Sequence, residues 1–214
     1  MRCIHLSSER AIRIFDKQAN SYEKRRKKLQ HAAERSRLLR HAEGKVLEVS
    51  VGAGNNFAFY PKGVQVVAAD FSIKMIEKAR VAAEDYDVDC EFFVSDVENL
   101  DFEENTFDTI VSTLSLCAYQ HPEFVLQQFQ KWAKPEAKVL LFEHGISTNS
   151  PYAWLQNRLD GLSMRLIGCH QNRDILQLMN NAGLQVDHLE RMFLGSVYLI
   201  QASVNKEEGN EERG

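Results

Sequence analysis

Seven short apolar segments that alternate with helix-forming stretches constrain the fold more than any other feature of this sequence. They cover residues 45–50, 64–70, 90–96, 107–116, 138–145, 184–192 and 196–204. The first five are separated by turn or helical signals, an arrangement that predicts a parallel sheet with helices on both faces. Several segments are apolar at nearly every position, as expected for strands that are buried on both faces.

The last two segments are too close in sequence to be parallel neighbours. Only a few residues around Gly195-Ser196 separate them. A parallel connection needs about a dozen residues or more, so this pair is predicted to form an antiparallel hairpin. The predicted fold class is therefore α/β, with a seven-stranded, mostly parallel sheet that has an antiparallel final hairpin. The length of 214 residues is typical of one domain with an appended segment.

The appended segment is predicted to be the helical region 1–44. Residues 7–42 are rich in helix formers and contain neither Gly nor Pro. A division is expected near Ala19, where Asn20 or Ser21 caps a second helix, and Gly44 is expected to end that helix. Residues 45–204 then form the sheet domain. The polar and charged tail, residues 205–214, is predicted to be disordered.

Charge and hydropathy limit the partners of the chain. A net charge of -4 and a pI near 6.0 lack the basic excess of a nucleic-acid-binding domain, so no nucleic acid partner is expected. No apolar run approaches the roughly 20 residues of a membrane-spanning helix, and the first residues lack the apolar part of a secretory signal. We therefore expect a cytoplasmic protein without stable membrane insertion. The basic run 24–28 indicates at most a peripheral contact with anionic lipid, and a solvated helix face is its default interpretation. The sequence does not indicate an oligomeric state.

The four cysteines carry no metal or disulfide signature. Cys3, Cys90, Cys117 and Cys169 are scattered, without a CxxC pair. Cys169-His170 offers two ligands without a third, so no metal site is predicted. Buried or incidental thiols are the expectation for all four.

A glycine turn directly follows the first predicted strand. Gly52 and Gly54 allow the backbone there to pass close to a ligand. The second strand ends at Asp70, 16 positions after Gly54 (70 − 54 = 16). A carboxylate at that edge of such a sheet accepts hydrogen bonds from ribose hydroxyls, which predicts a nucleoside cofactor. The third glycine of a dinucleotide fingerprint is replaced by Phe57, and no phosphate-binding Gly-Lys-Ser/Thr is present, so the nucleoside should lack a polyphosphate.

The pattern Glu48-x-Ser50-x-Gly52-x-Gly54 followed by Asp70 resembles the first two motifs of class I S-adenosylmethionine-dependent methyltransferases. The resemblance extends over residues 45–204 and includes the F-D-x-I/V motif at residues 107–110. One departure is Ser50, because the family usually has Gly at that position. The chain looks most like small-molecule enzymes related to quinone and phospholipid methyltransferases. This resemblance implies a Rossmann-like fold, S-adenosylmethionine as cofactor and methyl transfer to a small, apolar or amphiphilic acceptor.

The resemblance and the strand-end positions together give a candidate cofactor site. It places Asp96, after the third strand, near the adenine amino group, and Tyr22 in an amino-terminal segment that closes over the cofactor. Glu48 pairs either with local donors or with the ammonium group of the cofactor, while Phe71 and Met75 contact adenine or belong to the core. The candidate cofactor-binding residues are Tyr22, Glu48, Ser50, Gly52, Gly54, Asn56, Asp70, Phe71, Met75, Asp96, Val97 and Thr113.

The acceptor side is predicted from the end of the fifth strand onward. His144 is the candidate general base, although a histidine satisfied at a strand end is an equal alternative. His170, Asn172 and Arg173 are candidate acceptor-binding residues, with Asn172 alternatively the cap of a helix over 173–182. Residues 151–167 are a candidate lid with an apolar wall. Two other functions stay open: a catalytically silent S-adenosylmethionine-binding protein, which Ser50 permits, and an NAD-dependent oxidoreductase.

Overall fold

The computed structural model describes residues 8–206, which form seven strands, six α-helices and two short 3-10 turns. The strands are β1 (Lys45–Val49), β2 (Gln65–Asp70), β3 (Asp89–Val94), β4 (Phe107–Thr113), β5 (Ala133–His144), β6 (Leu184–Met192) and β7 (Val197–Val204). The helices are α1 (Ser8–Lys27), α2 (Ala32–Leu39), α3 (Ile73–Tyr86), α4 (Pro122–Trp132), α5 (Ser150–Ile167) and α6 (Ile175–Asn181). The 3-10 turns are Phe57–Phe59 and Val97–Asn99.

All seven strands belong to one sheet with the order β3-β2-β1-β4-β5-β7-β6. Strands β1 to β5 are parallel, whereas β7 pairs antiparallel with both β5 and β6. The predicted α/β class and the antiparallel final hairpin are confirmed. Because the chain builds outward from β1 in one direction and then returns to place β4 on its other side, the sheet has a switch point between β1 and β4. Ligands of open α/β sheets bind outside the carboxyl ends of the strands at such a point.

The sheet separates two apolar clusters. One face, with Leu47 and Ile110, packs against α4 and α6 through residues such as Phe129. The other face, with Val46, packs against α2 and α3 through residues such as Ile76. Helices therefore cover both faces, and the carboxyl edge is left to the loops that follow the strands.

The amino-terminal helix continues past the point where a division was predicted. Helix α1 runs through Ala19 to Lys27, and the chain turns only at residues 28–31, where Leu29 and His31 adopt left-handed backbone angles. Ala19 is buried, and no Gly or Pro stops the helix near it. Farther along, the buried Arg26 donates to Asp85 Oδ2 at 2.9 Å, near the end of α3. These contacts explain why the prediction of a break at Ala19 was wrong.

Gly44 does not end the second helix, as the sequence had suggested. Helix α2 stops at Leu39, and Gly44 directly precedes β1 with a φ of 62°. A Cβ at Gly44 would overlap the carboxylate of Asp108, whose Oδ2 accepts the N–H of Lys45 at 2.8 Å. This glycine is therefore needed for the close approach of the chain to β4.

Only two residues of the predicted disordered tail lie in the described part of the chain. The N–H of Asn205 donates to Gln130 Oε1 at 3.1 Å, and Lys206 Nζ donates to Lys131 O at 3.2 Å. The rest of that predicted tail, residues 207–214, lies outside the described residues, as does Cys3. Between residues 8 and 206, no helix is long and apolar enough to cross a membrane.

Candidate active site at the carboxyl edge of the sheet

The glycine turn after β1 contains several residues with left-handed backbone angles. The φ angles are 57° at Gly52 and 75° at Gly54. A Cβ at Gly54 would lie 2.7 Å from the Cβ of Ala82 in α3, so this position requires glycine for helix packing. A Cβ at Gly52 would instead meet the ring of Tyr22 at 3.5 Å. The turn is thus packed against α3 on one side and covered by α1 on another.

Ser50 also adopts left-handed angles, with a φ of 50°, at the position where the resemblance leads one to expect Gly. Its Oγ lies 3.0 Å from the hydroxyl oxygen of Tyr119, in the loop after β4. Burial raises the pKa of the Tyr119 phenol, so this group remains protonated and can donate. Ser50 therefore has a contact of its own, which joins the glycine turn to the loop after β4.

Asp70 holds the glycine turn from the end of β2. Its Oδ2 accepts the N–H of Gly52 at 3.0 Å, and its Oδ1 accepts the N–H of Ser72 at 2.8 Å. Burial raises the pKa of Asp70 to about 6, although both backbone donors act in the opposite direction. Each carboxylate oxygen has two lone pairs, so both oxygens retain capacity for a further donor.

Glu48 and Asn56 belong to a buried polar network beneath the turn. Glu48 Oε1 accepts from Asn56 Nδ2 at 2.8 Å, and Glu48 Oε2 accepts from the Tyr60 hydroxyl at 2.7 Å. Arg35 of α2 donates to Asn56 Oδ1 and, at 3.2 Å, to Thr113 Oγ1. Burial raises the pKa of Glu48 to about 7. Three predicted cofactor-binding residues thus have partners within the protein, in line with the structural alternative for Glu48.

The network includes two residues that the sequence analysis did not select, Arg35 and Tyr60. Arg35 is only 4% exposed although it lies on a helix of eight residues outside the sheet domain. Nothing in the local sequence distinguishes it from its exposed neighbours Arg37 and Arg40. Tyr60 follows the 3-10 turn, and its ring packs near that of Phe57 at a centroid distance of 6.3 Å.

Asn55, in the same turn, carries an unpaired buried acceptor. No hydrogen-bond donor among the described residues reaches its Oδ1. A buried amide oxygen without a partner is costly, so a donor from a bound molecule would stabilise this side chain.

Helix α1 lies against the end of β2. Asp16 Oδ1 accepts from the Ser72 hydroxyl at 2.5 Å, and the rings of Phe15 and Phe71 meet edge to face at 5.4 Å between centroids. The Ser72 hydroxyl also caps α3 by accepting the N–H of Met75 at 3.2 Å. Met75 itself is 1% exposed, which agrees with its core alternative.

Asp96 lies on the same edge as Asp70. The two strand ends are joined by a hydrogen bond from Ser95 N to Asp70 O at 3.1 Å. Asp96 Oδ1 accepts the N–H of Glu98 at 3.1 Å and caps the second 3-10 turn. Burial raises the pKa of Asp96. The adjoining Val97 is a buried core residue.

Glu143, the penultimate residue of β5, anchors the loop after β4. It is fully buried and accepts from Ser112 Oγ at 2.8 Å, from Ser115 N at 3.0 Å and from Leu116 N at 3.3 Å. Burial raises its pKa to about 7. Glu143 is not among the residues predicted from the sequence, although an acid inside an otherwise apolar strand is a usable signal.

Two cysteines predicted to be separate thiols are joined in the structure. Cys117, in the loop after β4, and Cys169, in the loop after α5, form a disulfide across a sequence separation of 52 residues. His144 Nε2 lies 3.0 Å from Cys169 Sγ, and the three ligand-type atoms lie within 4.8 Å of one another. The prediction of unrelated thiols was wrong for this pair, because both loops meet at the end of β5. Cys90 is free.

The three candidate acceptor-binding residues fasten the loop between α5 and α6. His170 Nδ1 lies 2.7 Å from Asp160 Oδ2, and Asn172 Nδ2 donates to Asn157 Oδ1 at 2.9 Å. Arg173 donates to the backbone oxygen of Tyr119. The alternative role of Asn172 as a helix cap is wrong, because α6 begins at Ile175 and its cap is Asp174.

Helix α5 occupies the position of the predicted lid. On its inner side, the buried Gln156 accepts from Ser147 N at 2.9 Å and donates to Gly145 O and Gln171 O at 2.9 and 2.8 Å. Its outer side is apolar and exposed, with Trp154 at 65% and Leu166 at 66% exposure. The helix is therefore held by polar contacts while most of its large apolar side chains face outward.

Several known proteins are similar to this chain in sequence. Residues 46–136 match a family model described as a methyltransferase domain. The thiol S-methyltransferase TMT1B of Rattus norvegicus is 30% identical over 80% of this chain and 73% of the relative. A phosphatidylethanolamine N-methyltransferase of Cereibacter sphaeroides is 28% identical over 72% of this chain and 77% of the relative. The mitochondrial methyltransferase OMS1 of Saccharomyces cerevisiae is 28% identical over 88% of this chain, which spans only 45% of that protein.

A solved structure has the same fold. The PH0226 protein from Pyrococcus horikoshii OT3 superposes with a TM-score of 0.65 at 22% identity, over 82% of this chain and 92% of the other.

Proposed function

Because the chain belongs to the class I S-adenosylmethionine-dependent methyltransferases, we propose that it methylates a small amphiphilic acceptor at the carboxyl ends of β4 and β5. The observation that carries this proposal is the glycine turn. In this turn the N–H of Gly52 donates to Asp70, and Gly52 faces the ring of Tyr22. The side-chain oxygen of Asn55 is buried there without a donor.

The residues of the turn fit the family's cofactor. Asp70 retains acceptor capacity for ribose hydroxyls, and Asp96 lies on the same sheet edge, where it would face the adenine amino group. Asn55 Oδ1 would accept from the ammonium group at the other end of the molecule. When bound, S-adenosylmethionine supplies a methyl group already activated by a sulfonium. The protein's task is therefore to hold the acceptor in line with that methyl group and to exclude water.

Helix α1 is proposed to close the site. Its contacts with Phe71, Ser72 and Gly52 run from the ribose end of the site to the glycine turn. A helix in this position would shield the cofactor, and Tyr22 would be its innermost side chain. The guanidinium carbon of Arg25 lies 5.1 Å from the centre of the Tyr22 ring, so Arg25 also packs against this side chain.

On the acceptor side, His144 is proposed as the base for acceptors that carry a proton. Burial, and then the charge of Arg173, lower the pKa of His144 below its usual value. Its imidazole is therefore neutral at pH 7 and able to accept a proton. Helix α5 also exposes large apolar side chains such as Trp154 and Leu162, and an acceptor that is itself partly apolar could contact them.

A coupled assay for S-adenosylhomocysteine release tests the proposal. The full chain is incubated with S-adenosylmethionine and a panel of amphiphilic thiols, amines and hydroxyl compounds. Product formation with at least one acceptor is expected. Cofactor binding without turnover of any acceptor would favour a catalytically silent binding protein. Binding of NADH together with no heat from S-adenosylmethionine would favour an oxidoreductase.

A variant pair tests the role of His144. His144→Asn should lower kcat more for hydroxyl or amine acceptors than for thiols, because a thiolate needs no base. The matched control is His188→Asn, since the side chain of His188 is 57% exposed on β6. An equal loss of kcat with every acceptor class would count against a proton-accepting role.

A further inference from the structure

The Cys117–Cys169 disulfide joins a deeply buried residue to one that is less deeply buried. Cys117 is only 3% exposed in the loop after β4, whereas Cys169 is partly exposed in the loop after α5. His144 Nε2 lies 3.0 Å from Cys169 Sγ. Reactive protein disulfides have a comparable arrangement: the more exposed cysteine lies beside a basic group, and a second, buried cysteine resolves it.

We propose that Cys117, Cys169 and His144 form a thiol–disulfide exchange site for low-molecular-weight thiols of the glutathione class. Cys169 is the sulfur that exchanges with the small molecule, Cys117 is the resolving sulfur, and His144 receives and returns the proton of Cys169. This activity shares His144 with the proposed methyl transfer but does not require methyl transfer to occur.

The exchange balances in two steps. A small thiolate attacks Cys169 Sγ, which forms a mixed disulfide and breaks the bond to Cys117, and Cys117 leaves with the electron pair and takes up a proton. A second small thiolate then attacks the small-molecule sulfur of the mixed disulfide. The small disulfide is released, and Cys169 leaves as a thiolate that takes up a proton through His144. Two small thiols are oxidised to one disulfide, and the protein disulfide is reduced to two thiols.

The geometry allows the protein disulfide to reform after it opens. The N–H of His170 donates to Cys117 O at 3.0 Å, and the N–H of Ile146 donates to Arg173 O at 2.8 Å. The first of these backbone bonds holds the loop after α5 beside the loop after β4, and the second holds it beside the loop after β5, without help from the sulfurs. In the reverse direction, a neutral His144 imidazole takes the proton of the Cys169 thiol and leaves the nucleophilic thiolate.

Mass spectrometry after alkylation tests the proposal on the full chain. The oxidised wild-type protein is incubated with reduced glutathione, quenched with iodoacetamide at set times and digested for peptide mapping. We expect Cys117 and Cys169 to become alkylated together. With Cys117→Ser, oxidised glutathione should add one glutathione to Cys169. Cys90→Ser is the matched control and should exchange like the wild type, because Cys90 is free.

Proton transfer between His144 and Cys169 is tested by a separate measurement. In a Cys117→Ser background, His144→Asn should slow glutathionylation of Cys169 by at least about tenfold near pH 7 and shift the pH profile of the rate upward. Cys169→Ser should leave Cys117 largely unmodified, since Cys117 is buried. Circular dichroism of each variant separates loss of exchange from loss of fold, and the wild-type time course needs no variant.

Three results would overturn the proposal. The first is a wild-type disulfide that glutathione does not reduce while the protein stays folded. The second is a glutathione adduct on Cys117 in place of Cys169. The third is about one equivalent of Zn²⁺ retained by the reduced protein and lost in Cys117→Ser, because two thiolates and an imidazole within 4.8 Å would then be metal ligands instead.

Discussion

Replacing Gly54 with alanine should destabilise the protein through two separable effects. The φ of 75° at this position imposes about 1–2 kcal/mol of strain on any residue with a Cβ. The new Cβ would also lie 2.7 Å from that of Ala82, and such overpacking typically costs about 1–3 kcal/mol. Gly63→Ala is the matched control, because Gly63 has a φ of 87° but nothing within 4 Å of a built Cβ. Gly63→Ala therefore introduces the backbone strain without the overpacking.

Equilibrium urea unfolding of both variants, followed by circular dichroism, measures the difference. Gly54→Ala should lose about 1–3 kcal/mol more unfolding free energy than Gly63→Ala. The smaller entropy of the unfolded alanine chain affects both variants alike and cancels in the comparison. Equal free energies of unfolding would refute the conclusion that the glycine turn is closely packed against α3.

Three further predictions concern the polar contacts around the turn. Arg35→Met should destabilise the protein by about 1–3 kcal/mol in urea unfolding, because it leaves the buried Asn56 Oδ1 without the donor that Arg35 supplies. Tyr119→Phe should cost about 0.5–1.5 kcal/mol in the same assay and less in a Ser50→Gly background, since the hydroxyls of Tyr119 and Ser50 are partners while Tyr119 also has a hydrogen bond with Ser115. For Glu143, the folded pKa of about 7 lies above its unfolded value, so the stability it contributes is present below about pH 4.5 and is lost as the pH rises through 7. Between pH 5 and 8, the free energy of unfolding of Glu143→Gln should therefore rise relative to that of the wild type, by up to about 3 kcal/mol.

Each of these predictions has a contradicting result. An effect of Arg35→Met no larger than that of Arg40→Met, on the exposed end of α2, would show that the network does not depend on the buried charge. If Tyr119→Phe has its full effect in the Ser50→Gly background, the contact between the two hydroxyls does not contribute to stability. A constant stability difference between Glu143→Gln and wild type across pH 5–8 would mean that Glu143 does not titrate there.

Strand topology was predictable because it follows from local patterns. Buried parallel strands are apolar at successive positions, and the short link at Gly195 leaves only a hairpin for β6 and β7. The glycine turn and Asp70 were predictable for the same reason, since both lie next to a strand end. Ser50 and Tyr119 are 69 residues apart in sequence, so no local pattern predicts their contact.

The incorrect predictions concern features that tertiary contacts determine. Helix α1 passes Ala19 because packing there outweighs the capping tendency of Asn20. The pairing of Cys117 with Cys169 depends on two loops that meet only in the folded chain. Arg35 is buried by its position over the sheet, whereas its helix has the composition of a surface segment.

Calorimetric titration of S-adenosylhomocysteine into the full chain tests most directly whether the glycine turn is the cofactor site. The wild type should bind one molecule per chain. Asp70→Asn should weaken the affinity by at least about tenfold, because charged hydrogen bonds to ribose are worth about 1.5–3 kcal/mol each. Asp101→Asn, whose side chain is 85% exposed, should bind like the wild type. No binding heat from folded wild-type protein, or an unchanged affinity in Asp70→Asn, would contradict the assignment.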